Sequence, residues 1–278
     1  MRQKGCRMRQ ALGGPGVGLG YRREMAAWDM SAIQADFFEI VPENWLRRDR
    51  APLHRLLASG RGIALHGVSL NLGGQAPVDA GFLRSVAALM SELGSDRYSD
   101  HLAASGDAHQ LYDLFPIPFT RPEVRRVADR IRQAQDILGQ AIGIENSTWY
   151  TNVGEMREAE FLAEIAERAD CAIVLDLNNI DVNHKNHGGD DIGSFLGRID
   201  LSRVSYLHVA GHEFDTRFGM YIDTHSRPVG EETARWARHL LGRHGLAVLL
   251  EWDNDVPGPE AINEELACLQ AFMTTSGG

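Results

Sequence analysis

Short apolar runs alternate along this chain with stretches of helical periodicity, and the alternation leaves few folds open. The runs lie at 16–19, 36–41, 62–65, 97–99, 141–144, 172–175, 204–207 and 246–250. Each is too short for a helix, and most lead into turn or polar residues, so they read as buried strands. Between them, 80–93 (AGFLRSVAALMSEL) carries an apolar stripe at three-to-four spacing. So does 121–138, with Thr120 placed to cap it and Pro122 in its first turn. Segments 155–168, 231–243 and 259–272 behave alike. Strands alternating with helices imply βαβ units and a parallel sheet, and about eight such units in 278 residues fit an α/β fold of the closed (β/α)8 TIM-barrel type. We expect one domain over 16–275, after a flexible leader at 1–15. A doubly wound open sheet is the competing topology. The opening GVGLG is followed by no G-x-G-x-x-G helix start, which leaves a dinucleotide site weakly supported.

Composition narrows the partners. The chain is 44% hydrophobic and 24% charged, enough for a sizeable core. With 28 Lys+Arg against 38 Asp+Glu it carries a formal charge of -10, which disfavours nucleic acid as a partner. Cys6, Cys171 and Cys268 show no C-x-x-C spacing, against a disulfide framework, a cluster or a thiolate zinc site. The start is basic without an apolar h-region, and Met8 is an alternative start to Met1. No run approaches the ~20 apolar residues of a membrane span, so no membrane is expected and a cytoplasmic location is.

The polar residues fall where the strands end. The third run closes on His66, the fourth on Asp100 and His101, the fifth on Glu145 and the sixth on Asp176 with Asn179. The seventh closes on His208, the eighth on Glu251 and Asp253, and one loop adds Asp223 and His225. Strand ends of a barrel converge on one mouth. Carboxylates gathered there need protons or a counter-ion, and a metal is the usual counter-ion. Taken singly, a strand-end histidine is more often a hydrogen-bonded structural residue, a strand-end carboxylate a cap or an arginine partner, and D-x-H an Asx-turn. Their shared position reverses that weighting. His54, His109, His239 and His244 read as solvated residues of helix surfaces or loops. The donor set is nitrogen and oxygen only, which fits Fe(II), Mn(II) or Zn(II), and the mix of carboxylate with imidazole leans towards iron. More than about four ligands exceeds one tetrahedral ion, so two or three ions with bridging carboxylates are implied.

Ten strings run in order over almost the whole chain: GVGLGYR, FFEIVPENW, HGVSLNLGG, SDHLA, LYDLFPIPFT, IENSTWY, LDLNNIDVNHKNHG, LHVAGH, IDTHSRPV and LEWDND. They resemble the multinuclear non-heme iron-dependent oxidative enzymes, the family that includes the methanobactin-biosynthesis oxidase and the thiaglutamate-pathway peptide-modifying enzyme. The resemblance implies a xylose-isomerase-like barrel using two to three iron ions, mixed Fe(II)/Fe(III), with O2 as co-substrate. Its substrate would be a residue, usually cysteine, of a ribosomally made precursor peptide. Carried onto matching positions, His66, His101, Glu145, Asp176, Asn179, His208, Asp223, His225 and Glu251 would be ligands, with Glu145 bridging. Asp100, His212 and Asp253 become catalytic candidates beside the metals or facing substrate, and His184 and His187 residues of a substrate loop. The implied chemistry is an iron-bound peptide thiolate and an Fe(III)-superoxo species that takes hydrogen from the cysteine β-carbon. A small leader-recognition partner protein is implied as well. The rival readings are a di- or trinuclear hydrolase or isomerase of the endonuclease IV or xylose isomerase type, and a non-catalytic metal-binding accessory of peptide export.

Overall fold

The computed structural model of the protein describes residues 14–107, 114–151 and 154–271. Met1, Cys6, Met8, all but the end of the expected leader and His109 lie outside the described residues. Among the described residues the barrel strands are β1 (Val17–Gly20), β2 (Phe37–Ile40), β3 (Gly62–Gly67), β4 (Tyr98–His101), β5 (Gly143–Glu145), β6 (Ala172–Asp176), β7 (Val204–Val209) and β8 (Ala247–Leu250). They close in the order β1-β8-β7-β6-β5-β4-β3-β2, every neighbour parallel. Each of the expected apolar runs supplies one strand of a (β/α)8 barrel.

The helices are α1 (Ala51–Ala58), α2 (Ala80–Leu93), α3 (Arg121–Leu138), α4 (Glu158–Ala169), α5 (Leu177–His187), α6 (Ile192–Leu196), α7 (Glu231–His244) and α8 (Pro259–Gln270). Helices α2 and α3 start and stop where their periodicity does, and Thr120 caps α3 by accepting the Glu123 N–H. One expectation is overturned. His184 and His187 do not sit in a loop but in the last turns of α5. The Asp176 side chain accepts the Asn179 N–H at 2.7 Å, so β6 passes straight into a helix. That helix buries Asn178, Asn179, Asp181 and Asn183 beside its apolar residues, which erases the stripe a helix normally shows.

Period two along the strands sorts the interior into layers. Phe37, Val174, Tyr206, Ala247 and Leu249 pack together as the filling of the barrel, while Phe38, Ile144, Leu175, Leu207 and Leu250 join the larger core beneath the helices. Two residues beyond those filling positions come Glu39, Asp176, His208 and Glu251, all buried. The closed floor therefore carries a polar layer at the mouth. Two short hairpins, Ala103–Ala104 with Phe115–Pro116 and Glu213–Asp215 with Met220–Ile222, lie in the connections after β4 and β7. No helix among the described residues is long and apolar enough to cross a membrane.

Candidate metal centre

Glu145, the last residue of β5, sits at the centre of the polar layer. Its Oε2 is 2.8 Å from His66 Nε2 and 3.2 Å from His101 Nε2. Its Oε1 is 3.2 Å from His208 Nδ1. One carboxylate thus faces histidines of three other strands, with a different set at each oxygen. Glu251, just past β8, links outwards: its Oε2 is 3.5 Å from His208 Nδ1 and 3.5 Å from His225 Nδ1. His225 also lies 2.8 Å from Asp223 and 3.2 Å from Asp253. Three groups of metal-competent atoms result: His66, His101 and Glu145; Glu145, Asp176, His208 and Glu251; and His225, Glu251 and Asp253, with donor atoms in each group within 4.8 Å of one another. Glu145 joins the first two and Glu251 the last two. A fourth grouping brings Glu39 beside His66 and His208.

The loop bearing His225 is held against the exit of β8. The Asp253 and Asn254 N–H groups donate to the His225 carbonyl, and Asn254 Nδ2 donates to the Thr224 carbonyl at 2.7 Å. His225 has φ +47, a left-handed conformation a non-glycine residue keeps only where its surroundings enforce it.

The electrostatics follow from burial and crowding. Burial alone would raise the Glu145 carboxyl, yet His101, His208 and His66 together hold it well below the usual range. Burial opposes protonation of His66, but Glu145 and Glu39 lift it to about 9. His208 and His225 are likewise raised against their burial by neighbouring carboxylates. Asp176 is pushed well up, first by burial and then by Glu145 and Asp223. Imidazolium charge is thus the cluster's own counter-charge, and ligation to a metal requires those rings neutral.

Two oxygens test whether a metal fits. Asp176 spends Oδ1 on its helix cap, and its Oδ2 is buried with no hydrogen-bond partner. Asn179 donates from Nδ2 to the Asn146 carbonyl at 2.9 Å, which fixes its amide and leaves Oδ1 buried and unpartnered. Such oxygens are costly unless a water or a cation meets them, and oxygen donors beside imidazoles suit a cation. Among the described residues no cysteine joins the groups: Cys171 is buried at the opposite end of β6 and Cys268 is exposed on α8. The donors are those of a hard-to-borderline divalent ion, and they fit one.

The remaining expected residues fall as follows. Asp100 lies apart from the cluster, because Ser99 and His101 beside it on β4 take the inward positions. Its oxygens accept the Tyr98 hydroxyl at 2.7 Å and the Leu70 and His101 N–H groups, which ties down the β3 exit. Burial and the nearby Glu43 raise it to about 7. Asp253 is gripped by Arg22, whose Nη2 also donates to Glu251 at 3.1 Å. His212 is engaged at both ring nitrogens, by Lys185 and Asn178. His54, His239 and His244 lie on α1 and α7, away from the mouth.

Glu39 and Arg22 escaped the sequence reading. Glu39 accepts the Tyr206 hydroxyl and lies 3.2 Å from His208. A carboxylate within FFEI, two residues beyond the inward Phe37, was the available signal. Arg22 had none, since it follows β1 by two residues and reaches its partners only when the barrel closes.

A family model described as RiPP precursor modification enzyme MbnB/TglH/ChrH matches residues 16–274. The chain belongs to this family. Among curated relatives it is 39% identical over 273 residues to a UPF0276 protein of Neisseria gonorrhoeae, covering 94% of this chain and 96% of that one. It is 40% identical over 246 residues to a UPF0276 protein of Haemophilus influenzae, covering 84% and 80%. Solved structures share the fold alone. A xylose isomerase domain containing protein from Salmonella typhimurium superposes with TM-score 0.63 at 14% identity, over 99% of this chain and 100% of that one. Endonuclease IV from Thermus thermophilus gives TM-score 0.57 at 17% identity, over 93% and 99%. For a member of a peptide-modifying family, the mouth just described is the natural candidate for the active centre.

Proposed function

We propose that this member of the family is a multinuclear iron enzyme that uses O2 to modify oxidatively a residue, cysteine foremost, of a ribosomally synthesised precursor peptide. The observation that carries the metal reading is Glu145, whose two oxygens face different histidine sets, beside the unpartnered oxygen of Asp176. His66 and His101 would hold one ion with Glu145. Asp176, Asn179, His208 and Glu251 would hold a second, and Asp223 and His225 a third with Glu251. Two or three iron ions in mixed Fe(II)/Fe(III) states would supply the oxidising power, with O2 as co-substrate. Asp253, whose carboxyl Arg22 and His225 hold well below its usual range against the opposing effect of desolvation, lies 3.2 Å from His225 Nδ1 and so steadies that ring. Among the described residues no cysteine joins the groups, and in this reading the substrate thiol supplies the soft ligand. Cytoplasmic location and a small partner protein that captures the leader of the peptide belong to the same reading.

The test is direct. Protein purified without oxygen is assayed for metal and then given O2 and the cysteine-containing peptide encoded beside it. Two or more irons per chain, with an oxidative mass change on the peptide, supports the reading. Zinc alone, with O2-independent cleavage of a phosphodiester or turnover of a sugar, would replace it with the hydrolase or isomerase alternative.

A further inference from the structure

Helix α5 and the connection after β7 share a chain of polar contacts running from the rim to the Asp223–His225 loop. Lys185 Nζ lies 2.7 Å from Asp181 Oδ2 and 2.9 Å from His212 Nε2, with the Tyr221 ring centroid 5.2 Å away. His212 Nδ1 lies 2.7 Å from Asn178 Oδ1. Asn178 Nδ2 lies 2.6 Å from Asp223 Oδ1, which is 2.8 Å from His225 Nε2.

Only one arrangement of protons satisfies the chain. An ammonium has hydrogens to give and no lone pair, so Lys185 donates and His212 Nε2 accepts. The ring proton must then sit on Nδ1, where it donates to the Asn178 carbonyl oxygen. That orients the amide, whose NH2 is turned to Asp223. Neither ring nitrogen of His212 is left free for substrate, and the 3.8 Å separation from Asp181 is too long for a hydrogen bond. Lys185 is anchored well enough to do this, because Asp181 and the Tyr221 face hold it in place.

We infer that Lys185 is a positioning residue that sets the His212 tautomer and, through Asn178, orients the Asp223 carboxylate at the metal centre. This rests on the proposed ligand role of Asp223–His225. Groups that fix the orientation of a ligating carboxylate typically change metal affinity ~10- to 100-fold when removed.

The experiment follows 15N-labelled histidine by long-range 15N–1H NMR in the metal-free protein, with His212→Gln to assign the ring. The same variants are titrated with Fe(II) under anaerobic conditions. Wild type should show the Nδ1–H tautomer of His212. Lys185→Met frees Nε2 and should bring in the Nε2–H form in part, since the Asn178 oxygen still accepts at Nδ1, and should weaken Fe(II) binding about tenfold. Asn178→Ala should keep the Nδ1–H tautomer, since Lys185 is still in place, yet show the same weakening. Thermal unfolding of each variant checks that it is folded. An imidazolium or Nε2–H ring in wild type, or a ring unchanged in Lys185→Met, overturns the role of Lys185. Unchanged Fe(II) affinity in both variants overturns the link to Asp223. Failure of the metal reading itself looks different: wild type and Glu145→Ala would bind equally little Fe(II), while the tautomer comparison would still decide what Lys185 does.

Discussion

Arg22 Nη2 donates to Glu251 Oε1 at 3.1 Å, which leaves Glu251 Oε2 to face His208 and His225, each at 3.5 Å. The same guanidinium grips Asp253 through Nε. An arginine from the first βα connection therefore aims the carboxylate that joins the inner and outer groups. Replacing it with Leu removes one partner of a buried ion pair, a change that costs about 3–5 kcal/mol. Denaturant unfolding of Arg22→Leu without metal should show a loss of that order, and metal analysis should show an incomplete centre. Wild-type stability together with full metal content would remove Arg22 from the architecture.

Glu145 is shared by two groups, so its loss should be felt at both. Glu145→Ala is expected to retain little metal after desalting, whereas His54→Ala, on exposed α1 and paired with Glu92, should retain the wild-type amount. Elemental analysis of the two side by side decides the assignment, and equal content would break it.

Metal loading should release protons. His66 is raised to about 9 by Glu145 and Glu39 against the effect of burial, and ligation needs the neutral ring. Below that pH each proton displaced weakens apparent affinity by ~tenfold per pH unit, so binding tightens as pH rises towards 9. Calorimetric titrations in buffers of different ionisation enthalpy measure the proton count directly. A count of zero at pH 7 would contradict the charge arrangement described for the cluster.

Glu158 offers a pH effect away from the centre. Burial raises its carboxyl from 4.5 to about 7, although the Trp149 indole and the Asn183 amide donate to it. A raised carboxyl binds its proton more tightly in the folded state, so stability is full below pH ~4.5 and falls as pH climbs towards 7. Glu158→Gln removes that fall. Its gain over wild type should be roughly 1–2 kcal/mol at pH 8 and near zero at pH 4.5, allowing for partial solvent screening. Thermal melts at the two pH values give the answer, and a variant equally destabilised at both would contradict it.

Particular residues show how far the sequence could be read. His66, Glu145, Asp176, His208 and Glu251 are legible as neighbours because each ends an apolar run and the ends of barrel strands must meet. Asp100 ends a run in the same way, but period two permits only one of Asp100 and His101 to face inwards, and the pairing of Ser99 with His66 decides for His101. Glu39 was overlooked because it lies within a run rather than at its end. The VNHKNHG stretch of α5 reads as a loop because the buried face of the helix is largely asparagine and aspartate, and contacts such as Asn178 with Asp223 and Asn183 with Glu158 leave no local pattern.

The order of residues was enough to specify the barrel, since local periodicity and the spacing of apolar runs depend only on which residues follow one another. The same pattern places most of the imidazoles and carboxylates that meet at the mouth. How those groups are shared emerges from the folded arrangement: which oxygen of Glu145 meets which histidine, that Arg22 holds Glu251, and that contacts run from Lys185 through His212 and Asn178 to Asp223. These are contacts between residues tens to hundreds of positions apart. Their geometry is set by strand register and barrel closure, and no local pattern along the chain records either.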